Sequence, residues 1–365
     1  MSYGHFIMRS VFLIKSPLQL LNAVEAKHYF KLRTENCVLI VMGDRKSQPQ
    51  ILKLASCMGE WGNLIVLNES PLFIGNPLEH KKTTGLKVWG AGFFKKSFFY
   101  VRRLNRVQEY LGAVEYVFVG YPRYVYMRHF INITPHKEVF LLDDGNATIQ
   151  LAKERRDSKL SEEMDVGWKK GLKRSAKRRL QGVKDAEKEV LGFFTIYDIV
   201  AGKNDSVIKN NFDYVRSRLS LFEGTEAVYF LGSPLSEVGI LNQDEYLDYL
   251  RRVKEYYKTK KLVYIIHRRE NEDKLKLIER ELGWDMVLYE YPIEYQLAMV
   301  GPRPSILASF FSSALDTCAL IFKNDLKIVS FKIDVKNSPR EEEIESIYNS
   351  YSLNKNSNIL IEADY

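Results

Sequence analysis

Short apolar runs alternate with amphipathic stretches along most of this chain. Val11-Phe12-Leu13-Ile14, Val38-Leu39-Ile40-Val41-Met42 and Leu64-Ile65-Val66-Leu67 carry no polar alternation. Such runs are the pattern of strands buried on both faces of a parallel sheet. Between them, Leu18 to Phe30 and Pro49 to Met58 have the spacing of helices. Ser16 and Pro17 stand where the first helix should begin, as N-cap and first helical residue, places that favour those two types. Val114 to Gly120 and Val139 to Leu142 add two strands, the second stopping at Asp143-Asp144-Gly145. Strand and helix in strict turn predict a parallel sheet with covering helices.

The pattern breaks near residue 151, and Lys153 to Lys188 is dominated by charge. Phe193 to Val200 reads as a strand again. A second series opens at Val228-Tyr229-Phe230-Leu231 and continues through Leu262 to Ile266 and Ser305 to Phe311. It closes with Leu320-Ile321-Phe322 and Lys327 to Phe331. No internal repeat is visible. The expected architecture is α/β, with two Rossmann-like domains facing a central cleft, the GT-B arrangement. The first domain would span 1–215, with a basic insertion at about 153–188. The second would span 216–335. The tail, 336–365, holds an acidic helix pattern from Pro339 to Tyr348 and is expected to return to the first domain.

With 365 residues, 45% apolar and 27% charged, the chain is large enough for two substantial cores. It has no apolar run of about 18 residues, so no membrane-crossing helix is expected. Its first residues lead directly into a strand, without the pattern of a signal peptide. Cys37, Cys57 and Cys318 lie far apart without metal-ligand spacing, as in a reducing cytoplasm. A net charge of +8 implies an acidic partner: a phosphate-bearing small molecule, anionic lipid or nucleic acid. No nucleic-acid motif with spaced stacking aromatics is present, so nucleic acid is not expected.

Trp168 to Arg179 contains Lys169, Lys170, Lys173, Arg174, Lys177, Arg178 and Arg179, and Trp168, Leu172, Ala176, Leu180 and Val183 form one apolar stripe. That stripe suits a helix on the protein's own core or one lying on an anionic membrane over 168–183. Phe93, Phe94, Lys95, Lys96, Phe98, Phe99, Arg102 and Arg103 form a second basic and aromatic cluster. It reads first as a core helix and second as an acceptor or membrane surface.

Candidate chemistry falls at element ends. The strand Leu262 to Ile266 delivers His267, Arg268 and Arg269 to its carboxyl edge, where open α/β sheets bind ligands. Glu294 opens a helical pattern. Ser312 and Ser313 lie at a strand-to-helix turn, where hydroxyls and free N–H groups can hold an anion. Gly232 would let a ligand approach the backbone, and Ser233 could cap the following helix. Asp143-Asp144-Gly145 is either a turn or a turn bearing a general base. Taken singly, His267 reads as surface, Glu294 as solvated and Ser312 as a cap; in this order they point to a nucleotide site. The Gly-x-Gly-x-x-Gly and phosphate-loop patterns are missing from the strand ends, as is an Asp-x-Asp placed for a metal.

This ordered set, Asp143-Asp144-Gly145, Gly232-Ser233-Pro234, His267, Glu294 and Ser312-Ser313, resembles the motif series of bacterial sialyltransferases. The likeness is greatest to the lipooligosaccharide sialyltransferases of glycosyltransferase family 52 and to the capsular polysialyltransferases. It runs over about 139–316, with a fainter likeness at Ser16-Pro17-Leu18-Gln19-Leu20. The resemblance implies a GT-B fold and inverting, metal-independent transfer of sialic acid, or a related nonulosonic acid, from a CMP-sugar without a cofactor. It implies Asp143 as general base, with Asp144 and Gly145 in support, and His267 as a second catalytic residue that contacts the CMP phosphate and assists its departure. Glu294 would hold the ribose hydroxyls, Ser312 and Ser313 the phosphate, and Gly232 and Ser233 the nucleotide pocket. Arg268 stands where the family usually has Pro, and either adds charge at the phosphate or points away from it. The implied acceptor is a lipid-linked bacterial surface glycan, at the inner face of the cytoplasmic membrane. A GT-B transferase using CMP-Kdo or a UDP-sugar is the neighbouring alternative. A non-catalytic basic protein binding membrane or nucleic acid is the distant one.

Overall fold

The computed structural model describes residues 8–44, 47–67, 92–145, 147–157, 182–184, 186, 188, 190–335, 338, 340–353 and 358–365. The chain divides into two compact units, Met1–Asn210 and Asn211–Tyr365, where the sequence pattern puts the boundary at 215–216.

The first unit is built on β1 (Arg9–Ile14), β2 (Cys37–Val41), β3 (Asn63–Val66), β4 (Val114–Val119), β5 (His136–Leu142), β6 (Gly192–Thr195) and β7 (Ser206–Lys209). All pairs are parallel, in the order β3-β2-β1-β4-β5-β6-β7. Among the described residues its helices are α1 (Pro17–Tyr29), α2 (Gln48–Met58), α3 (Gly92–Leu111), α4 (Val125–Ile133) and α5 (Ala147–Arg156). Every residue of β2 and all but the first of β1 are buried, which is why these strands read as unbroken apolar runs. Under α1, Phe12, Phe118 and Phe140 stack along the sheet and Phe30 closes over them. Each such ring contributes roughly 1.5–3 kcal/mol by leaving water. Ser16 caps α1 as its sequence position predicts, its hydroxyl accepting from Gln19 N at 3.3 Å. The strand expected over Phe193 to Val200 ends at Thr195, where the chain turns.

The second unit carries β8 (Gly224–Leu231), β9 (Leu262–Ile265), β10 (Asp285–Val287), β11 (Arg303–Ser309), β12 (Lys327–Phe331) and β13 (Ile359–Glu362). The order is β10-β9-β8-β11-β12-β13, again wholly parallel. Its helices are α6 (Asp213–Ser217), α7 (Gln243–Tyr256), α8 (Glu272–Leu282), α9 (Ile293–Tyr295), α10 (Ser313–Phe322) and α11 (Glu341–Leu353). Leu320-Ile321-Phe322 thus ends a helix. In each sheet the strand order reverses beside the first strand, the doubly wound plan of two GT-B halves.

The tail corrects an expectation. Residues 336–365 do not return to the first unit; they supply α11 and β13 to the second. Ile344, Ile347, Tyr348 and Tyr351 are buried along one face of α11. The Tyr348 hydroxyl donates to Phe331 O at 3.3 Å and accepts from Ile333 N at 3.2 Å. That apolar stripe binds the tail where it is.

Among the described residues no helix is long and apolar enough to cross a membrane. The basic stripe at 168–181 lies outside the described residues, as do the side chains of Phe93 to Lys96. In α3, Tyr100, Val101 and Leu104 enter the core while Phe98 and Phe99 stay about half exposed, so this helix is only partly the core element its pattern suggests.

Candidate functional site

In the second unit the carboxyl ends of β8 and β11 flank the point where strand order reverses. Ser309 Oγ donates to Leu231 O at 2.9 Å and fixes the two ends together. The chain leaves β8 through Gly232 and Ser233, and β9 through His267. Gly232 N donates to Ile265 O at 2.9 Å. On the side where a β-carbon would stand, Gly232 is filled by Glu270 Oε2, at 2.5 Å, and by the Tyr264 ring, at 2.6 Å. The glycine therefore admits this pair of side chains, which corrects the expectation that it leaves room for a ligand. Ser233 is buried, with its N–H donating to the Tyr246 hydroxyl at 3.1 Å. It caps no helix: α7 begins ten residues further on, with Asn242 in a capping box.

His267 is held by its own loop. Its N–H donates to Glu270 Oε2 at 2.8 Å, its carbonyl accepts from Glu270 N at 2.9 Å, and its Nδ1 accepts from Arg269 N at 3.2 Å. An Nδ1 that accepts leaves the ring proton on Nε2. Burial first, then the charges of Arg268, Arg269 and Lys274, push the imidazole down to about 4. His267 is thus neutral near pH 7 and presents an N–H at Nε2. Arg268, exposed beside it, is the charged group.

Ser312 caps α10, Oγ accepting from Ala314 N at 3.2 Å. Its N–H and carbonyl both meet the Tyr351 hydroxyl, at 3.4 and 3.2 Å. A capping hydroxyl that accepts still has its own proton to donate. Ser313 is the first helical residue and half-buried. Glu294 lies in the short helix α9 and is buried; the Cys318 thiol of α10 is raised by burial first and then by the nearby Glu294 charge. Burial pushes Glu294 itself up to about 7.

In the first unit, β5 ends at Asp143-Asp144-Gly145, and the two carboxylates part. Asp143 is 2% exposed. Its Oδ2 accepts from Ile196 N at 2.7 Å, while Oδ1 has no hydrogen-bond partner. Burial pushes it up to about 6, against the opposing pull of Thr195, Ile196 N, Thr148 and Lys209. Asp144 is half-buried and lines a small cavity with Gly120, Tyr121, Arg123 and Thr148. Gly145 has a φ of 65°, the left-handed turn that glycine adopts freely.

The model of glycosyltransferase family 52 matches residues 80–335. The chain belongs to glycosyltransferase family 52. A comparison with curated proteins finds no match. Among solved structures, this glycosyltransferase is similar to the S. aureus MnaA–UDP co-structure, with a TM-score of 0.52, 9% identity and 96% and 90% of the two chains covered. It is also similar to the Neisseria meningitidis UDP-GlcNAc 2-epimerase bound to UDP-GlcNAc, with a TM-score of 0.50, 12% identity and 94% and 91% covered. These likenesses show the fold alone, two Rossmann-like α/β units.

The family 52 enzyme thus has His267, Arg268, Ser233, Ser312 and Ser313 along the carboxyl edge of one sheet and Asp143-Asp144 on that of the other. Among the described residues no group of His, Cys, Asp and Glu could hold a metal. Sequence reasoning missed Glu270, Lys274, Glu237, Tyr246 and Tyr264, which sit behind the His267 loop. The available signal was the Glu270/Lys274 spacing, one helical turn, joining two charges on a stretch otherwise read for His267. Gln19, which enters the sequence reading only within the fainter likeness at 16–20, is buried in α1.

Proposed function

We propose that this family 52 glycosyltransferase moves sialic acid, or a related nonulosonic acid, from a CMP-activated donor to a bacterial surface glycan, with inversion and without a metal. The observation that carries the reading is the His267 loop, braced at the carboxyl edge of the second sheet, with the Ser312-capped helix α10 on the same edge. The departing CMP phosphate gathers charge as the glycosidic C–O bond breaks. Arg268, the Nε2–H of His267, the hydroxyls of Ser312 and Ser313 and the first N–H groups of α10 are donors for it. Glu294 is assigned to the ribose hydroxyls. The acceptor hydroxyl oxygen forms the new bond, and its proton goes to a carboxylate. Asp143 is the proposed base: its pKa near 6 suits work at neutral pH, and Oδ1 has a lone pair unspent. Asp144 is the second reading, favoured by its place on a cavity. The same reading takes the enzyme as cytoplasmic, with the basic segment 168–183, whose charges suit an anionic surface, at the inner face of the membrane.

Incubation with CMP-sialic acid, CMP-Kdo and UDP-sugars, following nucleotide release with and without glycan acceptors, tests the donor. Release of CMP from CMP-sialic acid is expected. Turnover of a UDP-sugar with CMP-sialic acid untouched would replace the reading with another family 52 donor.

A further inference from the structure

Behind the His267 loop lies a buried polar cluster that no step of the proposed transfer uses. Lys274, on the first turn of α8, and Glu270 both have fully enclosed side chains. The three protons of the Lys274 ammonium have three acceptors: Glu270 Oε1 at 2.8 Å, Ser233 O at 2.9 Å and Glu237 Oε2 at 3.1 Å. The Tyr246 ring lies under the ammonium at 4.1 Å. Glu270 Oε1 also accepts from the Tyr264 hydroxyl at 2.6 Å, and the Tyr264 and Tyr246 hydroxyls bond at 2.8 Å. The other oxygen, Oε2, takes His267 N–H. Glu237 Oε1 accepts from Asn271 N at 2.9 Å, and Asn271 caps α8.

A buried charge is costly unless its partners are complete, and here they are. Such a pair adds little to stability over an apolar pair of similar size, so stability alone does not account for it. Its partners are specific: Ser233 O after β8, and His267 N–H after β9. Those are the two strand ends that border the proposed nucleotide site. Within His267 itself one polar group remains, because the main-chain N–H and carbonyl face Glu270 and Nδ1 faces Arg269 N. Only Nε2–H is left for a ligand.

We infer that Glu270 and Lys274 are positioning residues of the donor site, holding Ser233 and His267 in register so that His267 Nε2–H points at the nucleotide. The inference rests on the donor reading above. Tyr264 and Glu237 complete the clamp, and Gly232 is the residue whose missing side chain makes room for it.

The test replaces the charges with apolar groups of similar size, Glu270→Leu with Lys274→Met, in the full chain labelled with 15N at histidine. The expected result is a folded protein, melting within a few degrees of wild type, whose CMP affinity falls about tenfold or more and whose His267 signal moves toward a tautomer mixture. Wild-type CMP affinity together with an unchanged His267 signal overturns the inference. Should the double variant not fold, Tyr264→Phe and Glu237→Gln, each removing one contact of the clamp, carry the same two readouts at smaller amplitude. The tautomer is read without nucleotide, so it stands even if wild-type protein ignores CMP. In that case the donor reading fails, and a moved His267 signal still supports the clamp.

Discussion

Gln19 donates from Nε2 to Asp144 Oδ1 at 2.7 Å, joining the start of α1 to the end of β5. The same amide accepts from Lys15 N through Oε1 at 2.6 Å. It crosses directly over Gly120, where a β-carbon would meet Gln19 at 2.1 Å. The second strand end of the first unit's switch point, after β4, thus needs a glycine so that a glutamine can reach the carboxylate after β5. Gly120→Ala should displace Gln19 and impair transfer as Gln19→Ala does, each by about 1–3 kcal/mol in stability or barrier, the scale of a lost buried hydrogen bond. In a double-mutant cycle the two effects should not add, because both act through one contact. Full additivity in melting and kcat would show that they act separately.

As the proposed base, Asp143 should set a pH limb. A base whose pKa burial has raised to about 6 must lose its proton to work, so transfer should rise with pH through about 6 and then level. Asp143→Asn should lower transfer by about 10²–10⁴-fold, the usual effect of a positioned base, and remove that limb. CMP affinity should hold. If Asp144→Asn abolishes transfer and Asp143→Asn leaves the limb in place, the base is Asp144, the carboxylate on the cavity.

Glu294 and His267 pull stability in opposite directions. Burial raises Glu294 to about 7, so its contribution is present below the usual carboxylate range and is lost as pH rises through 7. A shift of this size corresponds to about 3 kcal/mol. Glu294→Gln should therefore raise the melting temperature at pH 8 more than at pH 5, while weakening CMP binding. Equal changes at both pH values would mean that the carboxyl is not the buried titrating group.

His267, lowered to about 4 by burial and its cationic neighbours, destabilises the fold as pH falls from 6.5 toward 4, since the unfolded chain takes the proton first. Phosphate bound at Nε2 favours the protonated ring. CMP binding below pH 6 should then take up protons, seen as a calorimetric enthalpy that varies with buffer ionisation heat. A buffer-independent enthalpy in His267→Gln but not in wild type would assign the uptake to this ring.

Much of the fold is legible because the central strands are buried on both faces and cannot hide a polar residue. Edge strands escape for the converse reason: Ser206 to Lys209 and Ile359 to Glu362 have exposed or half-buried positions, and Asp285-Met286-Val287 is too short for any periodicity. The site residues His267, Glu294 and Ser312 are visible because each interrupts an apolar or helical pattern at an element end. Glu270 and Lys274 are not, since a charged pair one turn apart looks like a solvated helix face until burial is known. Likewise nothing in Asp143-Asp144 says which side chain enters the core; that depends on Ile196 N–H at the end of a different strand. The tail's place was open because Ile344, Ile347, Tyr348 and Tyr351 form a stripe that would suit either sheet.

Calorimetric titration of CMP and UDP into wild type and Ser312→Ala/Ser313→Ala asks whether the second unit holds a CMP-sugar donor. Wild type should prefer CMP over UDP by about tenfold or more, and the variant, still folded, should lose about tenfold or more of its CMP affinity. Unchanged CMP affinity in the variant, or a wild-type preference for UDP, would contradict a donor of that kind.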